Sequence, residues 1–236
     1  MVSAQPNVES SAKLPALKVA AMTAYMAAVF AAMLFIPAGR LDWIRGWCYV
    51  ALVIAFVTFN WICLRRWNPE LIDRRLRYGK GTKRWDIVWS ALFAPLIIAV
   101  YVVAGLEARQ GTLSLPVVVW PVGLGIFTLA SFVLVWSMVV NPFFEKTVRI
   151  QTDQGHRVIK SGPYACVRHP GYVGFTSWIL ATPLLLGSAW ALIPAALSIL
   201  AILIRTSLED RTLRAELTGY RDYAARVRYR IIPGLW

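Results

Sequence analysis

The chain has 236 residues, 58% of them hydrophobic, with 25 lysines and arginines against 12 aspartates and glutamates. So apolar a composition exceeds what a soluble core of this size needs and places the chain in a bilayer. The formal net charge of +13 then reads as a topology signal and an attraction to anionic headgroups; nucleic acid is set aside as a partner because no nucleic-acid fold motif accompanies the arginines.

Residues 1–14, with Pro, Ser, Asn and Gln among them, are expected to form a mobile tail. A cleaved signal peptide is not indicated, since the apolar run that follows is long enough to span and no clear cleavage site comes after it. A crossing needs about 20 apolar residues. Runs from Leu17 to Ile36, Gly46 to Leu64, Ile87 to Leu106 and Leu115 to Val140 meet that need, so residues 15–140 are expected to hold four transmembrane helices. Between the second and third lies the segment 65–86, "RRWNPELIDRRLRYGKGTKRWD", with eight lysines and arginines, whereas the 107–114 loop has only Arg109. Short basic loops stay cytoplasmic, which assigns 65–86 to that side.

Three weaker signals are discounted. "YGKGTK" at 78–83 lacks the spacing and the preceding strand of a phosphate loop. "GLGIFT" at 123–128 has two glycines of a dinucleotide fingerprint, yet it sits inside an apolar run, where small residues serve helix packing. Cys48, Cys63 and Cys166 are too far apart for a metal site or a disulfide framework.

The apolar stretch from Tyr172 to Ile204 is too long for one span, and Pro183, Gly187, Ser188 and Pro194 interrupt it. Two short helices folded as a hairpin are expected, with a single kinked helix as the alternative. The fold class is therefore all-α: a polytopic membrane bundle of about five spans, the last a kinked helix or a hairpin. With the hairpin the crossings are even in number, and both termini and both basic loops face the cytoplasm.

Polar groups concentrate in residues 141–236. Arg205 and Glu209 stand four apart where the last apolar run ends, which puts a cation and a carboxylate on one helical face. Such a pair either meets solvent, with the arginine reaching toward headgroups, or turns inward to a charged ligand. Beyond it Leu213, Leu217, Tyr220, Tyr223 and Val227 fall near helical spacing with arginines between them, as in an amphipathic helix lying in the interface, and Pro233 ends it.

The ordered set "HRVIKSGPYACVRHPGYVG", "RTSLED" and "YRDYAARVRYRIIPG" resembles the isoprenylcysteine carboxyl methyltransferases and their prokaryotic and phospholipid-methylating relatives, over roughly Asn141 to Gly234. The resemblance implies a cofactor, S-adenosylmethionine, held on the cytoplasmic side, and a lipidic acceptor arriving from the membrane; it makes 141–236 a methyltransferase catalytic region. Residue by residue, it implies that His156, Arg157, Val158 and Ile159 run along the cofactor and that Tyr164, His169, Pro170, Gly171 and Tyr172 contact it, Gly171 standing at the variable place of "RHPxY". Glu209 matches the glutamate that reaches the cofactor, Arg205 the arginine that serves the acceptor, and these two form the implied catalytic pair. Gln151 matches a polar cofactor contact at a spacing that differs from the family's. Asp210 replaces a second glutamate.

Methyl transfer from a sulfonium is an in-line displacement that gains chiefly from alignment and needs no metal. The stiff 161–175 segment, "SGPYACVRHPGYVGF", suits a cofactor cradle: its prolines fix the loop and Gly162, Gly171 and Gly174 allow backbone to approach a ligand. The amphipathic tail would close that pocket from the cytoplasm. A carboxylate acceptor needs no base; a phospholipid amine would need one, with Glu209 or Asp210 as candidates. Two other classes remain at this stage: sterol-reductase-like oxidoreductases, which share an "RHPxY" segment and use a nicotinamide cofactor, and a non-catalytic lipid-binding protein.

Overall fold

A computed structural model describes residues 16–76, 81–111 and 114–236; the 1–14 tail and residues 78–80 of the "YGKGTK" segment lie outside them. Regular structure among the described residues is helical throughout: α1 (Ala16–Ala38), α2 (Ile44–Trp67), α3 (Pro69–Leu76), α4 (Arg84–Arg109), α5 (Trp120–Val140), α6 (Pro170–Leu186), α7 (Leu192–Glu216) and α8 (Tyr220–Arg226). Five of these, α1, α2, α4, α5 with the 3₁₀ turn before it, and α7, have the length and apolarity of a crossing. Their outer faces carry Leu92, Leu129 and Ile193 in the open, as lipid-facing helices do.

The stretch from Tyr172 to Ile204 is a hairpin. Helix α6, of 17 residues, covers about 25 Å at the helical rise and returns through a tight turn into α7. Gly187 makes the reversal at φ 80°, where a side chain would be strained, and the amides of Gly187 and Ser188 both close onto the Pro183 carbonyl at 2.8 and 3.0 Å. The turn is tied down from outside the hairpin. Glu107, near the end of α4, accepts from the hydroxyls of Ser114 and Ser188 and from the amides of Ser114 at 3.0 Å and Trp190 at 3.4 Å.

Backbone contact sets the α5–α6 packing. A Cβ on Gly174 would lie 2.8 Å from the Ala130 carbonyl oxygen, and one on Gly123 would lie 2.9 Å from Leu184 Cβ. The first glycine of "GLGIFT" thus serves packing, as expected. One polar cluster inside the bundle joins three helices: Tyr49 meets Tyr101 at 3.2 Å and Thr182 at 3.0 Å, linking α2, α4 and α6.

With α6 counted, six helices run through the bundle in alternation. The loops 65–86 and 141–169 therefore share one end with the described termini. They also pack together there. Arg74 and Arg75 donate to the carbonyls of Pro142 and Phe144 at 2.9 and 3.2 Å, and Asn68 to that of Met138 at 2.8 Å. The tail departs from the expected single amphipathic helix over 213–227: α7 stops at Glu216, Gly219 turns the chain at φ 78°, and α8 starts again at Tyr220. The break lets Leu217, Tyr220 and Tyr223 fold back onto Ile150 and Val158 instead of lying flat on the membrane.

Candidate active site

At the loop-bearing end a cavity of about 460 Å³ opens between the 141–169 loop, the ends of α6 and α7, and α8, and continues among α1, α2, α5 and α6. Its two halves differ in kind. Gln151, His156, Arg157, Tyr172 and Glu209 are among the polar groups of the first; Met26, Phe30, Val53, Phe56 and Phe175 are among the apolar groups of the second.

The 145–156 turn is built around Arg149, nearly buried, whose guanidinium takes both Glu145 oxygens at 2.8 Å and Asp153 at 2.9 Å. The hydrogen bonds to Glu145 hold its pKa above the ordinary arginine value. That turn fixes Gln151, whose Nε2 donates to the Phe143 carbonyl at 2.8 Å while its Oε1 is sealed from solvent with no partner. His156 Nδ1 accepts from the Gln151 amide at 3.3 Å, and its ring lies 4.6 Å from that of Phe143. Burial lowers the His156 pKa below its ordinary 6.5. Val158, Ile159 and the exposed Arg157 continue the wall.

Gly162, at φ 58°, enters the 3₁₀ turn Gly162–Ala165 that presents Tyr164. The Tyr164 hydroxyl is committed to protein, accepting from Asn141 Nδ2 at 2.9 Å and donating to the Ser137 carbonyl at 3.4 Å, so the residue offers the cavity a ring face. Pro170 opens α6 and, unlike the other expected cofactor residues, does not line the cavity. Its neighbour Gly171 has no room for a side chain, because a Cβ there would stand 2.3 and 2.5 Å from atoms of the Phe144 ring.

Arg168 and His169 converge on Asp210, which is fully buried. Its carboxylate takes Arg168 at 2.8 and 3.1 Å, the Tyr220 hydroxyl at 2.9 Å, Arg214 at 3.0 Å and Arg230 at 3.2 Å, with His169 Nε2 at 3.4 Å. With so many donors Asp210 is an anchor, and it has no lone pair to spare as a base for an amine acceptor. Only Glu209, of the two carboxylates weighed for that role, stays with the cavity; its Oε2 accepts from the Tyr172 hydroxyl at 2.5 Å.

Arg205 and Glu209 share a helical face but do not pair. Arg205 Nε and Nη2 meet Asp86 of α4 at 2.8 and 3.2 Å, and Nη2 also reaches the Lys146 carbonyl at 2.8 Å. The guanidinium lies 4.6 Å from the centre of the Trp89 ring and 5.7 Å from that of Tyr172. Asp86, fully buried, accepts in addition from the Val148 amide at 2.8 Å. Sequence reasoning missed Asp86, Trp89 and Tyr220. An acidic residue in the first turn of a span reads as a helix-dipole partner, so only its place inside a strongly basic segment hinted at a second use.

Residues 123–215 match the sequence profile of the isoprenylcysteine carboxyl methyltransferase (ICMT) family. A stretch of 66 residues is 38% identical to the protein-S-isoprenylcysteine O-methyltransferase of Schizosaccharomyces pombe and covers 28% of this chain and 28% of that protein. The solved structure of the eukaryotic intramembrane Ras methyltransferase ICMT (isoprenylcysteine carboxyl methyltransferase), determined without a monobody, superposes with a TM-score of 0.52 at 16% identity, over 88% of this chain and 74% of that one. The family resemblance read from the sequence over roughly Asn141 to Gly234 is borne out where the profile overlaps it, at residues 141–215, and the tail motif beyond lies outside the match; the all-helical membrane fold is borne out by the structural likeness.

Proposed function

We propose, from the premise that residues 123–215 carry the pattern of the ICMT family, that this chain is an integral membrane methyltransferase acting on a lipidic carboxylate such as that of an isoprenylated cysteine. The observation that carries the reading is the two-natured cavity, polar at the loops and apolar between the spans, with Arg205, Tyr172 and Glu209 all on its wall. S-adenosylmethionine bound in the polar half would supply an electrophilic methyl on sulfur. The residues there fit its groups. Gln151 Oε1 is a buried acceptor in want of a donor such as the adenine amine, Glu209 can pair with the methionyl ammonium, Arg157 with its carboxylate, and the Phe143–His156 pair and Tyr164 give flat walls for a ring.

Arg205 then orients the acceptor. Asp86 fixes Nε and Nη2, so the guanidinium keeps one orientation and Nη1 is the edge left for an incoming carboxylate. Trp89 shields the group from water, which strengthens the attraction. A carboxylate needs no base, and the engagement of Asp210 favours this acceptor over an amine, for which Glu209, itself held by Tyr172, would have to serve alone.

Calorimetric titration of the protein in detergent tests the reading. S-adenosylmethionine should bind, Gln151→Leu and Glu209→Gln should each weaken it by roughly tenfold or more, and nicotinamide cofactors should give no heat. Unchanged affinity in both variants, or selective binding of a nicotinamide cofactor, overturns it.

A further inference from the structure

Two residues that line the apolar half of the cavity each carry a polar atom that nothing in the protein satisfies. Asn60 Oδ1 on α2 and Trp178 Nε1 on α6 are both sealed from solvent without a hydrogen-bond partner, and both residues line the cavity. Six side-chain atoms among the described residues share this condition, and with Gln151 three of them belong to this one cavity. Other polar groups of the bundle do find partners, Trp89 Nε1 donating to the Ala201 carbonyl at 2.8 Å and Thr206 and Ser198 returning to carbonyls of their own helix, while Ser131 Oγ and Trp43 Nε1, away from the cavity, do not.

The two residues stand at about one level along their helices. From Asn60 to the end of α2 at Trp67 is about 10 Å along the helix, and from Pro170 at the start of α6 to Trp178 about 12 Å. Phe56, one turn before Asn60, has its ring 5.5 Å from the Trp178 indole. Phe30, Phe127 and Phe175 enclose the same indole at 6.3, 5.7 and 6.4 Å, so it is not free to turn toward a carbonyl of the bundle. One atom accepts and the other donates.

We infer that Asn60 and Trp178 form a subsite for a hydroxyl carried on the chain of the lipidic acceptor. A hydroxyl donates and accepts at once, which answers both atoms, and an unsubstituted hydrocarbon chain answers neither. The level rules out the amide beside a cysteine carboxyl, because Trp178 stands about 9 Å along α6 from Tyr172, where the acceptor head would lie. The inference rests on the methyltransferase reading for the direction in which the acceptor lies, and it narrows the substrate to chains with a polar group partway along.

The test compares two thioether carboxylic acids of equal chain length, one unsubstituted and one with a single mid-chain hydroxyl. Both are assayed for labelled methyl transfer from S-adenosylmethionine and, without it, for thermal stabilisation of the detergent-solubilised protein. The wild type should favour the hydroxylated acid by at least tenfold in kcat/KM. Asn60→Leu and Trp178→Phe should each remove most of that preference while S-adenosylmethionine still binds. Equal turnover of the two acids by the wild type, or a preference that survives in both variants, overturns the subsite. Selective stabilisation by the hydroxylated acid without turnover of either keeps the subsite and overturns methyl transfer instead. If neither acid stabilises the protein or is turned over, both ideas fall.

Discussion

Asp86 and Arg205 are 119 residues apart and lock at two contacts, which separates what local spacing could reveal from what it could not. The four-residue step from Arg205 to Glu209 was legible as one helical face; the partner that decides how the guanidinium is aimed lies on another span. Arg205→Lys should lose turnover by orders of magnitude in a methyl-transfer assay, because a single ammonium cannot hold Asp86 and present an edge to an acceptor. Its affinity for S-adenosylmethionine should stay within a few-fold. Asp86→Ala leaves a nearly buried cation unpaired and should destabilise the fold by about 3–5 kcal/mol, read as a lower denaturation midpoint in detergent, whereas Asp86→Asn, which still accepts from the Val148 amide, should cost less. Full activity in the lysine variant would remove Arg205 from the acceptor site. His156 gives a pH dependence with a definite sign. Burial holds its pKa below 6.5, so the folded state resists the proton: its contribution is intact above about pH 6.5 and is lost as pH falls through that value toward the lowered one. Melting of the protein between pH 5 and 8 should show this loss, and His156→Gln should flatten it; an unchanged profile in the variant would place the acid sensitivity elsewhere.

Among the elements, the four spans from Leu17 to Val140 could be read from apolar length alone, because the bilayer imposes that length. The Tyr172–Ile204 region could not be decided so simply. Its prolines and glycines announce an interruption, and both a kink and a hairpin satisfy them; the choice is made by Glu107, distant in sequence, whose carboxylate gathers Ser188 and the Trp190 amide at the turn. Glu107→Ala should strand those donors and destabilise the fold by about 1–3 kcal/mol. Since Glu107 lies at the opposite end of the bundle, S-adenosylmethionine affinity should remain within a few-fold in the same preparation. A large loss of affinity at unchanged stability would contradict that division. The tail was misjudged for a related reason: helical spacing from Leu213 to Val227 is real, but the surface it covers is the 150–158 loop, and reaching that surface needs the turn at Gly219.

For the whole molecule, the bundle puts both basic loops and the described termini at one end, and the excess of basic residues there predicts that this end faces the cytoplasm. Cysteine labelling of intact cells, on a background lacking Cys48, Cys63 and Cys166, checks this. Gln110→Cys should react from outside and Arg66→Cys should be protected; the reverse would turn the cavity mouth away from a cytoplasmic supply of S-adenosylmethionine.

The Asp210 carboxylate also bears on how the protein is made. It draws Arg168, Arg214, Tyr220 and Arg230 to one point, and Arg230 follows every span in the chain, so it leaves the ribosome after all of them. The spans can therefore be threaded into the bilayer and paired before the polar half of the cavity exists, so a nascent chain stays inert toward its small-molecule ligand until the segment after the last span has been made. A chain stopped after Arg226 should accordingly insert with the same labelling pattern and bind no S-adenosylmethionine; binding by that truncated form would show that the knot at Asp210 is dispensable.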